Sequence, residues 1–449
     1  MALKVFKFGG SLLSDVSSFK QIKKIVELHF TPSEKEGEKN NIIIVVSAFG
    51  KTTSKLLKAA TTAELNGEIS AMPIVNDIIQ YHIGIVNSLI KCNIKNAECK
   101  AYIQEQHTLL VNYIKGISLI RELSPRVKDL VLSIGELLAS YIFSKLVSEY
   151  IQKIISFDIM SVLITDDNYG AANPNLELTE INIKSTLIPL LRHCDVLVTQ
   201  GFIGSTINGE VTTMGYESSN LTATILAGLT NADEFIIWTD VEGIRQYDPK
   251  LYSSFKPKLI NKISYDFAEY LGCCGLKLIY PKMIELLRKF NIEVTYRSGL
   301  VPEGEYTIIG TENNSPECQI LIHIDNLAAY NSNGINRFDA NSFPAISHFL
   351  QEQNNVTLIS PFEHLFISKD NLSAHLEKDL LETHSYKKYK ICSLLLINFD
   401  YSDFADAVLS LDEDLRDQII NVFVNCQKKT IYLIYKENEE IDKKDLGHL

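Results

Sequence analysis

The sequence predicts an α/β fold built on an open, mainly parallel sheet and followed by a tail of smaller α+β units. Three patterns predict it. An apolar strand containing Val5, Phe6 and Phe8 runs directly into Gly9-Gly10 and then into a helix-spaced segment from Ser17 to Phe30. Strand-like apolar runs alternate with helical patterns as far as about Gly310, the pattern of a sheet with helices on its faces. Beyond that point, short strands separated by helical stretches follow one another to near the end of the sequence.

In chain order, the first strand carries Lys7-Phe8-Gly9-Gly10-Ser11. Two glycines allow a turn whose backbone amides approach an anion closely, and Lys7 adds a fixed positive charge there. The segment after it places Phe19, Ile22, Ile25, Val26 and Phe30 at helical spacing, so strand, turn and helix together make a phosphate cradle. The spacing is not GxxxxGK[ST], which excludes the P-loop; alone, the motif equally describes a tight βα turn with a solvated lysine. Asn41 to Val46 is a nearly unbroken apolar run, as in a parallel strand buried on both faces, and it ends in Ser47-Ala48-Phe49-Gly50-Lys51-Thr52-Thr53. From about Thr52 to Tyr150 the pattern is mostly helical, through Ile74 to Ile90, Tyr102 to Ile114 and Val127 to Tyr150: a helical insertion. Strands return at Ile154 to Phe157, Asp195 to Gln200, Glu234 to Thr239 and Ile292 to Tyr296. Ligands of open α/β sheets sit outside the carboxyl ends of the strands, so the turns after Phe8, Val46, Thr199 and Trp238 are expected to converge.

In the tail, Gln319 to Ile324, Val356 to Ile359, Leu365 to Ser368, Ile391 to Asn398, Ile419 to Val424 and Thr430 to Tyr435 read as strands. Helical stretches near Phe343 to Gln353, Leu372 to Thr383 and Asp403 to Leu411 separate them, which suits two βαββαβ-like units. Pro302, Gly304, Gly310 and Pro316 place the boundary within Val301 to Pro316.

Composition bounds the function. A chain of 449 residues, 46% hydrophobic and 22% charged, is long enough for two or three domains with a sizeable core. Its formal net charge of −12 and lack of a basic stripe argue against nucleic acid as a partner. No leader segment and no run of about 18 apolar residues is read, so the expectation is a cytoplasmic protein with no membrane partner. The eight cysteines are scattered without CxxC spacing and read as reduced thiols, and no metal site is expected.

Further motifs carry chemistry. Thr199-Gln200-Gly201-Phe202-Ile203-Gly204 is followed by Thr212-Thr213-Met214-Gly215 and by a helix from Ser218 to Gly228 whose amide end faces an anion site. Trp238-Thr239-Asp240-Val241-Glu242-Gly243-Ile244 ends another strand, with Asp248-Pro249-Lys250 shortly after. Gly275-Leu276-Lys277-Leu278-Ile279-Tyr280-Pro281 sets a lysine inside an apolar stretch.

In this order and at these separations, KFGGS, VVSAFGKTT, SIGELLAS, TQGFIG, TTMG, WTDVEGI, DPK, GLKLIYP and NIEVTYRS resemble the aspartate kinases of the amino-acid kinase family, over most of residues 1 to 310. The resemblance implies a three-layer αβα sandwich with a mainly parallel eight-stranded sheet over residues 1–305, then α+β ACT-like units at 316–385 and 386–449. It implies transfer of the ATP γ-phosphoryl to the side-chain carboxylate of L-aspartate, with magnesium carried by the nucleotide. Such a nucleophile is already ionised, so the site needs alignment and charge neutralisation rather than a base. By the same resemblance, Lys7 stabilises the transferring phosphoryl beside the amides of Gly9, Gly10 and Ser11. Ser47, Thr53, Glu136, Tyr216 and Ser219 fall at aspartate-binding positions, Glu136 accepting from the substrate ammonium. Thr239, Asp240, Asp248, Lys250 and Lys277 fall at nucleotide positions. The family's units of the tail type often bind lysine or threonine at paired interfaces, which implies a homodimer.

The sequence departs from the family in one loop, where G-R-G-G-S-D is common and this chain has Gly215-Tyr216-Glu217-Ser218-Ser219-Asn220. The arginine that pairs with a substrate carboxylate is replaced by Tyr216, and the aspartate that helps position the catalytic lysine by Asn220. Lys250 stands where arginine is usual and cannot make a bidentate fork. Three readings stay open: an aspartate kinase, a nucleotide-binding but catalytically impaired paralogue acting as a regulatory or assembly partner, and a kinase for another carboxylate acceptor.

Overall fold

The computed structural model describes residues 2–30, 40–215, 217–246, 257–273, 276, 278–311, 320–331, 356–360, 365–368, 387–397, 419–425 and 430–436. Two compact units separate, one within Met1–Ile244, Leu259–Cys273 and Lys277–Ser315, the other within Arg245–Lys258, Cys274–Leu276 and Pro316–Leu449.

The first unit opens with β1 (Ala2–Phe8), α1 (Val16–His29) and β2 (Asn40–Val46). Helix α1 starts where the sequence lets it: the Asp15 carboxylate accepts from the amides of Ser17 and Ser18 at 2.8 and 3.0 Å, an N-cap that satisfies two orphan donors. Strand β2 is buried along all but its first residue, as its apolar run requires. The helical insertion consists of α2 (Thr52–Asn66), α3 (Glu68–Leu89), α4 (Asn93–Ile120) and α5 (Pro125–Val147). Helices α3 and α4 run longer than the apolar periodicity indicated, whereas α5 starts two residues earlier and ends three residues sooner than predicted. By length and composition α5 would cross a membrane, but it is largely buried inside this unit.

The unit continues through β3 (Ile154–Phe157), α6 (Leu176–Asn182), α7 (Ile188–Leu191), β4 (Val196–Gln200), β5 (Ile203–Ser205), β6 (Val211–Thr213) and α8 (Ser219–Leu229). Then follow β7 (Glu234–Thr239), β8 (Lys262–Ser264), α9 (Tyr265–Cys273), α10 (Pro281–Phe290), β9 (Val294–Ser298) and β10 (Tyr306–Gly310). Eight of these strands form one sheet in the order β3-β4-β2-β1-β7-β9-β10-β8, and β5 and β6 form a separate hairpin. Every pairing in the large sheet is parallel except β9 with β10, so the mainly parallel eight-stranded sheet is present. The predicted strand at Ile292 to Tyr296 is corrected to Val294–Ser298. Asn291 is left-handed at φ 54° and the Ile292 amide donates to the Leu287 carbonyl, so Ile292 closes α10 instead of opening the strand.

At the sheet centre, Trp238 of β7 stacks on Phe8 with ring centroids 6.3 Å apart and meets Phe6 edge-on at 5.9 Å. This fully buried aromatic cluster fills one face of β1. Because side chains alternate along a strand, Lys7 leaves β1 on the opposite face.

The second unit holds a six-stranded antiparallel sheet, ordered β12-β13-β11-β14-β16-β15. Its strands are β11 (Ile320–Asn331), β12 (Val356–Ser360), β13 (Leu365–Ser368), β14 (Lys387–Ile397), β15 (Ile419–Asn425) and β16 (Thr430–Lys436). Long central strands β11 and β14 pair, and each carries a hairpin on its outer side, a repeat in the topology. The three helical stretches predicted for the tail lie outside the described residues.

Candidate active site

Lys7 is the penultimate residue of β1, in register with Val45 of β2 and Ile237 of β7. The turns that follow the central strands are joined there by backbone hydrogen bonds. The Gly9 amide donates to the Trp238 carbonyl at 3.1 Å, Gly50 to Gly10 at 3.0 Å, Gly201 to Val46 at 3.0 Å, and Gly299 to Thr239 at 2.8 Å. Two glycines make the approach possible. A Cβ on Gly10 would lie 2.7 Å from the Ala48 carbonyl oxygen, and one on Gly201 would lie 2.5 Å from Ser219 Cβ. The four turns expected to converge therefore do so at the carboxyl end of the sheet.

One expectation is corrected here. The Gly9 amide is committed to Trp238 and does not face an anion, and a Cβ at Gly9 would lie in ordinary contact with Lys7 Nζ at 3.7 Å. Among the described residues the amides of Gly10 and Ser11 donate to nothing. Ser11 Oγ instead donates to Asp240 Oδ1 at 3.2 Å, and Thr239 Oγ1 donates to the same oxygen at 3.2 Å. Ser11, Thr239 and Asp240 are thus brought together across β1 and β7.

Glu136 comes from α5. It is 3% exposed, and its Oε2 has no partner among the described residues. Burial raises its pKa to about 8, and the nearby Ala48 amide, Lys7 and the Gly201 amide oppose the rise. Burial likewise lowers the pKa of Lys7 to about 8, with Glu217 and then Glu136 acting in the opposite sense. An acid and a base, both driven toward neutrality by desolvation, lie close enough for each to feel the other's charge.

Helix α5 is held in place by Asp129, two turns before Glu136 and on the same side. The buried Asp129 carboxylate accepts from the Thr213 amide at 2.8 Å, Thr213 Oγ1 at 2.7 Å and the Gly170 amide at 2.9 Å. Burial raises its pKa, and these hydrogen bonds oppose the shift. Sequence reasoning missed it; its spacing of seven from Glu136 on a predicted helix was the available signal.

The loop that departs from the family pattern also closes on this end of the sheet. Gly215 and Glu217 both have left-handed backbone, φ 88° and 62°, and Ser218 Oγ donates to the Gly215 carbonyl at 2.7 Å. Ser219 and Asn220 are buried, and Asn220 Oδ1 has no hydrogen-bond partner among the described residues. Ser47 and Thr53 are partly exposed, Ser47 following β2 and Thr53 in the first turn of α2. It is Thr52 that fastens that turn, donating to the Phe49 carbonyl at 2.6 Å. Tyr216, Asp248, Lys250 and Lys277 lie outside the described residues. Among those described, no group of three or more His, Cys, Asp or Glu side chains comes together in a way that could hold a metal ion.

Comparison with known proteins places this geometry. The bifunctional aspartokinase/homoserine dehydrogenase of Buchnera aphidicola is 23% identical over 460 residues, spanning 97% of this chain and 55% of that protein. Aspartokinase 1, chloroplastic, of Arabidopsis thaliana is 31% identical over 310 residues, 68% of this chain and 51% of that protein. The chain therefore spans about half the length of these curated relatives. Among solved structures, that of E. coli aspartokinase III in complex with aspartate and ADP matches at a TM-score of 0.80 and 24% identity, covering 100% of this chain and 99% of that one, a likeness of fold. The model of the amino acid kinase family matches residues 2–296, which include the whole convergent site around Lys7 and Glu136, and the chain belongs to that family.

Proposed function

We propose that this protein is an aspartate kinase, transferring the γ-phosphoryl of ATP to the side-chain carboxylate of L-aspartate to give 4-phospho-L-aspartate and ADP. One observation carries the reading: a buried carboxylate oxygen without a partner, Glu136 Oε2, sits in the site that also holds the half-buried Lys7. That pairing suits a zwitterionic substrate whose ammonium meets Glu136 while its reacting carboxylate and the transferring phosphoryl meet Lys7. The relatives named aspartokinase, and a like fold solved with aspartate and ADP, support the same substrates.

In this reading the amides of Gly10 and Ser11 face phosphate oxygens with Lys7, and no general base is needed. The hydroxyls of Ser47, Thr53 and Ser219 hold the substrate carboxylates, and Asn220 lines the pocket. Thr239 and Asp240 face the nucleotide, with Asp248, Lys250 and Lys277 assigned to it by their motifs. Magnesium arriving with ATP neutralises phosphate charge; the Asp240 carboxylate, held by Ser11 and Thr239, is a hard oxygen ligand of the type that ion takes. The replacement of the family arginine by Tyr216 is expected to weaken the hold on aspartate by about 1.5–3 kcal/mol, or roughly ten- to 150-fold.

A second reading, a nucleotide-binding regulatory partner with little catalysis, is favoured by one feature, the neutral Asn220 with its unpartnered oxygen. The deciding assay is ADP release with ATP, magnesium and L-aspartate, the acyl phosphate being trapped with hydroxylamine, for the wild type and Lys7→Ala. Aspartate-dependent product that vanishes in the variant supports the kinase. ATP binding without product at tens of millimolar aspartate sinks it and leaves the partner role or another acceptor.

A further inference from the structure

We infer that Tyr81 is a positioning residue that clasps the turn after β1 to the turn after β2 and so sets where the two substrates stand relative to each other. The inference deepens the kinase reading and rests on it for the effect on rate, though not for the geometry.

Tyr81 lies in the second half of α3, and its hydroxyl donates to the Ser14 carbonyl at 2.9 Å. Ser14 ends the turn after β1, one residue before the Asp15 cap of α1. That turn is closed on itself, since the Leu13 amide donates to the carbonyls of Gly9 and Gly10 at 3.2 and 3.1 Å. The same hydroxyl abuts the turn after β2. Gly50 is left-handed at φ 55°, and a Cβ there would lie 2.8 Å from Tyr81 Oη and 3.8 Å from Ser14 Cα. Tyr81 Oη therefore occupies the space that a side chain at Gly50 would fill, between the two turns. The Gly50 amide completes the junction by donating to the Gly10 carbonyl at 3.0 Å.

The next residue of α3 braces the second turn. His82 is fully buried and stacks on Phe49, with ring centroids 5.8 Å apart and planes 16° from parallel, while Phe49 meets Phe19 of α1 edge-on at 5.0 Å. The His82 ring is itself fixed, its Nδ1 hydrogen-bonding the Ile78 carbonyl at 2.7 Å. Stacking sets how far the turn stands from the helix; the Tyr81 hydroxyl, being directional, sets its orientation.

In the kinase reading the first turn meets the phosphates through the amides of Gly10 and Ser11, and the second meets aspartate through Ser47 and Thr53. A clasp between them touches neither substrate. It aligns one with the other, so its loss falls on kcat rather than on either KM.

Tyr81→Phe removes the hydroxyl and keeps the ring. Hydrogen exchange read by mass spectrometry on the full chain comes first, because it needs no turnover. Peptides covering residues 9–14 and 47–53 are expected to exchange about fivefold faster than in wild type, as loss of one hydrogen bond allows, with β4 peptides unchanged within about twofold. In the aspartate-dependent assay, kcat is expected to fall about tenfold while KM for ATP and for aspartate each change less than about twofold. Tyr265→Phe is the control: this α9 tyrosine donates to the Ile292 carbonyl at 2.7 Å, a bond of the same kind between other elements. Its loss is expected to leave kcat within about twofold of wild type. Unmoved exchange in both turns overturns the inference, as does accelerated exchange with unchanged kcat, or an equal fall in kcat for Tyr265→Phe. A wild type without aspartate-dependent turnover would refute the kinase reading, and exchange of the two turns would then decide the clasp by itself.

Discussion

Lys7 and Glu136 show how a residue's burial becomes both a liability and a function. Glu136 has its pKa raised from 4.5 to about 8, so between those values the folded chain binds more protons than the unfolded one. Its contribution to stability therefore falls as pH rises through that window. Lys7, lowered from 10.5 to about 8, acts in the opposite sense: the folded chain binds fewer protons above about pH 8, and stability recovers toward 10.5. The empty site is least favourable near pH 8, where substrate charges have most to offer. Glu136→Gln is accordingly expected to raise stability by about 1–3 kcal/mol at pH 7, seen as a higher Tm, with the gain shrinking toward pH 5. The same variant is expected to raise KM for aspartate at least about tenfold, because the ammonium loses its charged acceptor. A variant with unchanged Tm at pH 7 and unchanged KM would contradict both the burial argument and the assigned role.

At the scale of elements, α5 is the support on which the site depends. Asp129 fixes it to β6 through Thr213 and to the loop at Gly170, and the same helix carries the buried Glu136. Replacing Asp129 by Ala leaves three donors in a buried place without their acceptor, at a cost on the order of 3 kcal/mol. A fall in Tm with a rise in KM for aspartate larger than that for ATP is the expected result; equal changes in both would place the effect elsewhere. The loops between elements matter as much as the helices. They are stitched by amide-to-carbonyl bonds across neighbouring strand ends, and Gly10 and Gly201 permit contacts that any side chain would block.

At the scale of the whole molecule, the chain joins a parallel α/β unit to an antiparallel sheet whose two halves repeat one pattern. We propose, from the family resemblance alone, that the chain is a homodimer through its tail. Light scattering at micromolar concentration checks this, and a monomeric mass would remove it. Much of this architecture was legible in the sequence. Apolar runs and Gly-rich turns are local signals, so β1, β2, β4, β7 and the strands of the tail were recognisable, most of them to within a residue or two, and Lys7, Glu136 and Asp240 stood out from the motifs around them. Long-range arrangement leaves no such mark. The sequence by itself determined the order of strands and helices, the motifs and the family resemblance, because backbone geometry and burial periodicity are written residue by residue. Only the tertiary structure decided that Gly9 gives its amide to Trp238 and that Asp129 holds α5, because each of these depends on which strand ends fold together.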